Sequence, residues 1–164
     1  MKSFQTLTTF LNLVSRIFSM KNNQSNNFVK VEFGRINKFE AQPNQCYANA
    51  LEVMRLDMNR FSYVLGYLHF KIYIPDNKKQ CYADKNWVSP VEHAWNYDVC
   101  TKKYFDTTPL DRACCDIKYE VVKTLTAEDI INIIKNKYPH DFEEMINGNK
   151  KWDVITISDL EYLK

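Results

Sequence analysis

Three residues of this sequence have the types and the order needed for thiol chemistry. Cys46 follows Pro43, Asn44 and Gln45 and opens a run in which Ala48, Leu51, Met54 or Arg55, and Met58 recur at helical spacing, with Asn44 as a candidate N-cap. A cysteine in the first turn of a helix lies among unpaired backbone N–H groups at the positive end of the macrodipole. Both favour the thiolate and lower its pKa from about 8.5. The backbone N–H of such a residue also faces the place where the oxyanion of a tetrahedral intermediate forms, and Gln45 offers a side-chain donor to the same spot.

A nucleophilic thiol needs a base that takes its proton and returns it to the leaving group. His93 stands inside the apolar strand pattern VEHAWNYDV at 91–99, flanked by Ala94 and Trp95, where an unpartnered imidazole is unwelcome. A third group must fix the imidazole's tautomer. Asp106 ends the next strand pattern, KYFD at 103–106, and a short antiparallel hairpin sets two such strands side by side. Singly, each residue has an ordinary reading: a cysteine as a small buried hydrophobe, a histidine as a satisfied core residue, an aspartate as a turn former before Thr107, Thr108 and Pro109. The chemical reading rests on the three together. Asn49, three residues after Cys46, shares its side of the helix but is read as a solvent-facing or core-bonded amide.

The elements that must position these groups form an α+β pattern, a helix bearing the nucleophilic cysteine packed on an antiparallel sheet. Residues 1–20 carry Phe4, Leu7, Phe10, Leu11, Val14, Ile17 and Phe18 at helical spacing, which predicts an amphipathic helix; polar interruptions argue against a signal peptide or a membrane span. A polar linker, KNNQSNN, follows. The catalytic core is expected over 28–125: a strand at 28–33, the Cys46 helix, a long strand at 62–74 with a break near Gly66, and strands at 91–99, 103–106 and 117–125. Residues 126–164 read as a capped helix from Thr126, a short helix ended by Gly148, and a last strand at 152–157. A single domain of 164 residues accommodates all of this.

Composition narrows the function. With 22 Lys+Arg against 20 Asp+Glu the charge is balanced, so neither nucleic acid nor an anionic membrane is an expected partner. Only three glycines leave no phosphate-binding loop, and no cofactor is expected. Cys46, Cys81, Cys100, Cys114 and Cys115 form no zinc pattern with the three histidines, so no metal is expected either. An odd cysteine count suits free thiols in a reducing, cytoplasmic compartment.

The segments QCYANAL at 45–51, YVLGY at 63–67, EHAWN at 92–96 and YFDTTP at 104–109 together resemble the transglutaminase-like branch of the papain-like cysteine enzymes. That resemblance implies Cys46 as nucleophile, His93 as general base and Asp106 as the orienting acid, with Trp95 packed near the site. The chain is small for a full transglutaminase and shows no calcium-loop pattern. The expected function is therefore hydrolysis or acyl transfer at an amide, thioester or ester of a protein or peptide. Two rivals stand beside it: an inactive transglutaminase-like binding or inhibitor protein, and an acyltransferase or glycan amidase with a small-molecule substrate. The last needs a deep pocket where a protein substrate needs an open groove.

Overall fold

The computed structural model of this protein describes residues 27–34, 36, 39–72, 75–76, 79–82, 90–110 and 114–163. The helix expected at 1–20 lies outside them. The elements run β1 (Phe28–Val29), β2 (Val31–Phe33), α1 (Cys46–Leu56), β3 (Phe61–Ile72), β4 (Pro75–Asp76), β5 (Lys79–Tyr82), β6 (Val91–Asp98), β7 (Lys103–Asp106), β8 (Cys114–Leu125), α2 (Ala127–Lys137), α3 (Phe142–Ile146) and a 3-10 helix (Ile157–Tyr162). The class is mixed α+β, as the sequence predicts. No helix among the described residues is long and apolar enough to cross a membrane.

Six strands form one sheet in the order β1-β8-β3-β6-β7-β2, and β4 and β5 pair separately. The single strand expected at 28–33 is divided. Its first half pairs antiparallel with β8, and its second half pairs parallel with β7 at the opposite edge of the sheet. Only Lys30 separates the halves, and two residue steps span at most about 7 Å. The two edges must therefore approach each other, and the sheet curls. This also corrects the expectation of a purely antiparallel sheet: β2 is delivered to its edge by its neighbour β1, not by a hairpin, and so needs no crossover helix to run parallel with β7.

Curling buries both faces. Strand residues alternate between them with period two. On one face Tyr63, Leu65, Ala94 and Leu125 meet Ala50, Val53 and Met54 of α1 and Ile130, Ile133 and Ile134 of α2. On the other, Val64, Leu68, Trp95 and Tyr119 pack with Val31, Tyr97 and Tyr104. Each fully buried Val, Leu, Ile or Met among them contributes about 1.5–3 kcal/mol by its removal from water. The helix that carries Cys46 is thus clamped to the sheet along its length.

At the C-terminal end, Thr126 and Asp129 form the expected capping box of α2, and Gly148 follows α3 with φ of +77°. The strand expected at 152–157 is absent: residues 152–156 join no sheet, and the 3-10 helix begins at Ile157. This stretch packs across the helical layer instead. Ile155 is fully buried there, its carbonyl accepting the Tyr63 hydroxyl at 2.6 Å, and the Trp152 indole N–H donates to the Met145 carbonyl.

Gly66 fixes the centre of the sheet. It pairs with His93 on one side and Val121 on the other, where the β3–β8 register shifts. A Cβ there would lie 2.0 Å from the Glu120 carbonyl oxygen and 2.6 Å from the Trp95 ring. Backbone cannot yield as a flexible side chain does, so Gly66→Ala is expected to cost at least the 1–3 kcal/mol of ordinary overpacking, roughly. A lowered urea midpoint together with a changed Trp fluorescence spectrum checks this; an unchanged midpoint would contradict it.

Candidate active site

Cys46 is the first residue of α1, preceded by Gln45 as N-cap. Asn44, expected to cap the helix, instead takes a left-handed turn with φ of +59°, a conformation Asn tolerates better than most residues. The first helical hydrogen bond runs from the Asn49 N–H to the Gln45 carbonyl at 2.8 Å. The N–H groups of Cys46, Tyr47 and Ala48 precede it and so have no acceptor within the helix. The backbone N–H groups of Tyr47 and of Ala94 on β6 lie near enough to the Cys46 sulfur to favour its thiolate. The Gln45 side chain makes no capping bond and is exposed.

Asp106 and His93 are brought together by the β6–β7 hairpin, whose register pairs Asn96 with Phe105 and Asp98 with Lys103. Continuing that register places Asp106 opposite Trp95, two residues from His93 and therefore on the same face. His93 Nε2 and Asp106 Oδ2 are 2.6 Å apart. The other ring nitrogen is not engaged by Asp106, and the imidazole lines the same cleft as the Cys46 thiol, close enough for each to shift the other's titration. Both His93 and Asp106 are buried. Trp95 lies stacked against the imidazole at 6.1 Å between ring centroids. It is fully buried, and its indole nitrogen has no hydrogen-bond partner among the described residues.

Two supports of the site were not singled out by sequence. The Tyr119 hydroxyl on β8 donates to Asp106 Oδ2 at 2.9 Å, and the Thr108 N–H donates to Oδ1 at 2.8 Å. Nothing local marks Tyr119, which reads as one aromatic in an alternating strand. Asn49, on the same side of the helix as Cys46, is core-bonded. Its amide donates to the Thr108 hydroxyl at 3.1 Å and exchanges two bonds with the backbone of Gln42. It ties the Cys46 helix to the turn that holds Asp106. The i,i+3 spacing from Cys46 was the available signal.

The charges respond to this arrangement. Burial raises the Cys46 thiol, but the hydrogen bond and positive charge of His93 and the two backbone N–H groups outweigh it, and its pKa is lowered. Burial lowers the His93 imidazole, but the bonds to Asp106 and Cys46 prevail and raise it to about 9. Free side chains keep the proton on sulfur by a gap of about two units; these opposed shifts close it. The arrangement can hold a thiolate beside an imidazolium, with backbone N–H groups at the helix start for a developing oxyanion.

The thiol opens into a cleft of about 390 Å³ whose lining includes Tyr47, Leu68, Phe70, Val91, Glu92 and Leu110. Gln45 and Trp95 are not among the described residues that line it. No group of His, Cys, Asp or Glu suited to a metal occurs among the described residues. No family model, curated protein or solved structure matches this chain.

Asp106→Asn tests the core of the arrangement. Without the carboxylate, burial goes largely unopposed, and the His93 pKa is expected to fall from about 9 to near or below 6.5, read by NMR titration of the imidazole. Because the folded value is raised above the unfolded one, the stability it brings is complete below about pH 6.5 and is lost as pH climbs through 9. The difference in urea midpoint between wild type and variant should therefore shrink from pH 6 to pH 9.5. An equal difference at both would count against the charged pair.

Proposed function

We propose that this protein is a cysteine-nucleophile hydrolase or acyl transferase acting on amide, thioester or ester bonds of a protein or peptide. One observation carries the proposal: Cys46, first residue of α1, and His93 line one cleft, and behind them the buried Asp106 holds His93 Nε2 at 2.6 Å. A histidine serving only the core has no need of a cysteine at a helix start beside it and a carboxylate behind it.

In the proposed reaction Cys46 Sγ attacks the carbonyl carbon while the oxyanion gathers N–H donors at the start of α1. His93 protonates the departing amine, thiol or alcohol. The acyl-enzyme is then resolved by water or an amine whose proton passes to His93. Asp106 holds the imidazole with Nε2 engaged and the other nitrogen toward sulfur. We assign the chain to the transglutaminase-like group on the same grounds, a helix-borne cysteine followed by a strand histidine and a strand aspartate. The rim favours a protein or peptide over a small molecule: Val91 and Pro109 border the cleft and are both exposed, so it opens along the surface.

Alkylation by iodoacetamide from pH 4 to 10, followed by mass spectrometry, tests this without a known substrate. Cys46 should react with a midpoint well below 8.5, and His93→Ala should return it to that of an ordinary thiol. With an acyl substrate, His93→Ala is expected to lower turnover by about 10²–10⁴, and Cys46→Ala to abolish it. If Cys46 titrates like the exposed Cys100, the enzyme reading fails and a binding role replaces it.

A further inference from the structure

The walls of the cleft carry information about what the thiol meets. Leu68, Phe70, Val91, Pro109 and Leu110 give it apolar sides, and Glu92 is the only acidic residue among the described lining. Val91 is 47 % exposed although it stands beside a reactive group. A solvent-facing valine next to a buried Leu68 and a half-buried Phe70 forms a surface that gains free energy when covered. The Glu92 carboxylate is held at the rim by the Tyr47 hydroxyl at 3.1 Å, and Tyr47 follows the nucleophile directly. A volume of about 390 Å³ lies near the lower end for ligand sites, roughly 300–1,000 Å³. That suits one large side chain with its neighbouring backbone.

We infer that the cleft selects acyl donors bearing a bulky apolar side chain next to the reactive carbonyl, and that Glu92 turns away acidic ones. The apolar side chain lies against Leu68, Phe70, Val91 and Leu110. This seats the carbonyl carbon over Cys46 Sγ; the Sγ–C bond forms, the bond to the leaving group breaks, and His93 supplies that group's proton. Glu92 adds a negative charge within the same opening, which penalises a carboxylate and tolerates a neutral or cationic neighbour. The inference rests on the acyl-transfer reading of Cys46, and its test must separate the two.

N-methyl, N-benzyl and N-carboxymethyl iodoacetamide share one chemistry: Sγ displaces iodide and a thioether forms. They differ in the group offered to the cleft. Rates at Cys46 are read by peptide mapping at pH 7, with the exposed free thiol of Cys100 as internal reference. At Cys46 the benzyl reagent should outpace the methyl reagent about tenfold or more, and the carboxymethyl reagent should lag; at Cys100 the reagents should differ little. Val91→Asp and Leu110→Asp should erase the benzyl advantage, and Glu92→Gln should restore the carboxymethyl rate. Rapid labelling of Cys46 by all three reagents alike would overturn the inference while leaving the activated thiol intact. Labelling by the methyl reagent no faster than at Cys100 would overturn both. Turnover of N-acetylphenylalanyl against octanoyl thioester then separates a peptide side chain from a fatty acyl chain, and preference for the octanoyl group would refute the peptide assignment.

Discussion

A carboxylate sealed from water must be compensated by its neighbours, and Asp106, 1 % exposed, has three donors to do so: the His93 imidazole, the Tyr119 hydroxyl and the Thr108 N–H. An uncompensated buried charge of this kind costs several kcal/mol, roughly, so the surrounding chain is organised by it. β6, β7, β8 and the turn after β7 each contribute a residue. Asn49 extends the network to the helix that bears the thiol. The imidazole's high pKa descends in large part from this buried charge, and the imidazolium in turn helps to lower the thiol's.

Much of the site was legible because its members lie close in sequence or on regular periods. Asp106 lies thirteen positions after His93, a distance a hairpin covers, and an alternating pattern fixes which residues share a face. Cys46 at a helix start was legible from the breaking residues before it and the 3.6-residue recurrence after it. Tyr119 was not, since its contact with Asp106 depends on how β8 lies across the sheet from β7, with β3 and β6 between them. Local patterning carries no such information.

The errors in the fold have the same origin. Residues 28–33 show an alternating pattern, and it was natural to give them one partner; their division between opposite edges follows from closure of the sheet, a property of all six strands. Residues 152–157 contain Trp152, Val154 and Ile155, but Ile155 packs on the helical layer and Tyr63, its carbonyl accepting the Tyr63 hydroxyl, and does not pair as a strand. Asn44 at the start of α1 was misread as a cap because Asn suits both a cap and a left-handed turn. The choice between them is set by how the chain enters from Gln42, whose backbone is bonded to Asn49.

Closure of the sheet by 28–33 also joins an early part of the chain to strands made much later. β1 must meet residues 119–120 and β2 residues 104–106, contacts spanning more than seventy positions, and long loops of this kind close late in folding. During synthesis from the N-terminus, Cys46 emerges well before His93, Asp106 and Tyr119. Until they follow, it is an ordinary cysteine on a helix with nothing to pack against. The cysteine, the imidazole and the carboxylate thus come together only when the C-terminal half of the sheet has been made and folded back.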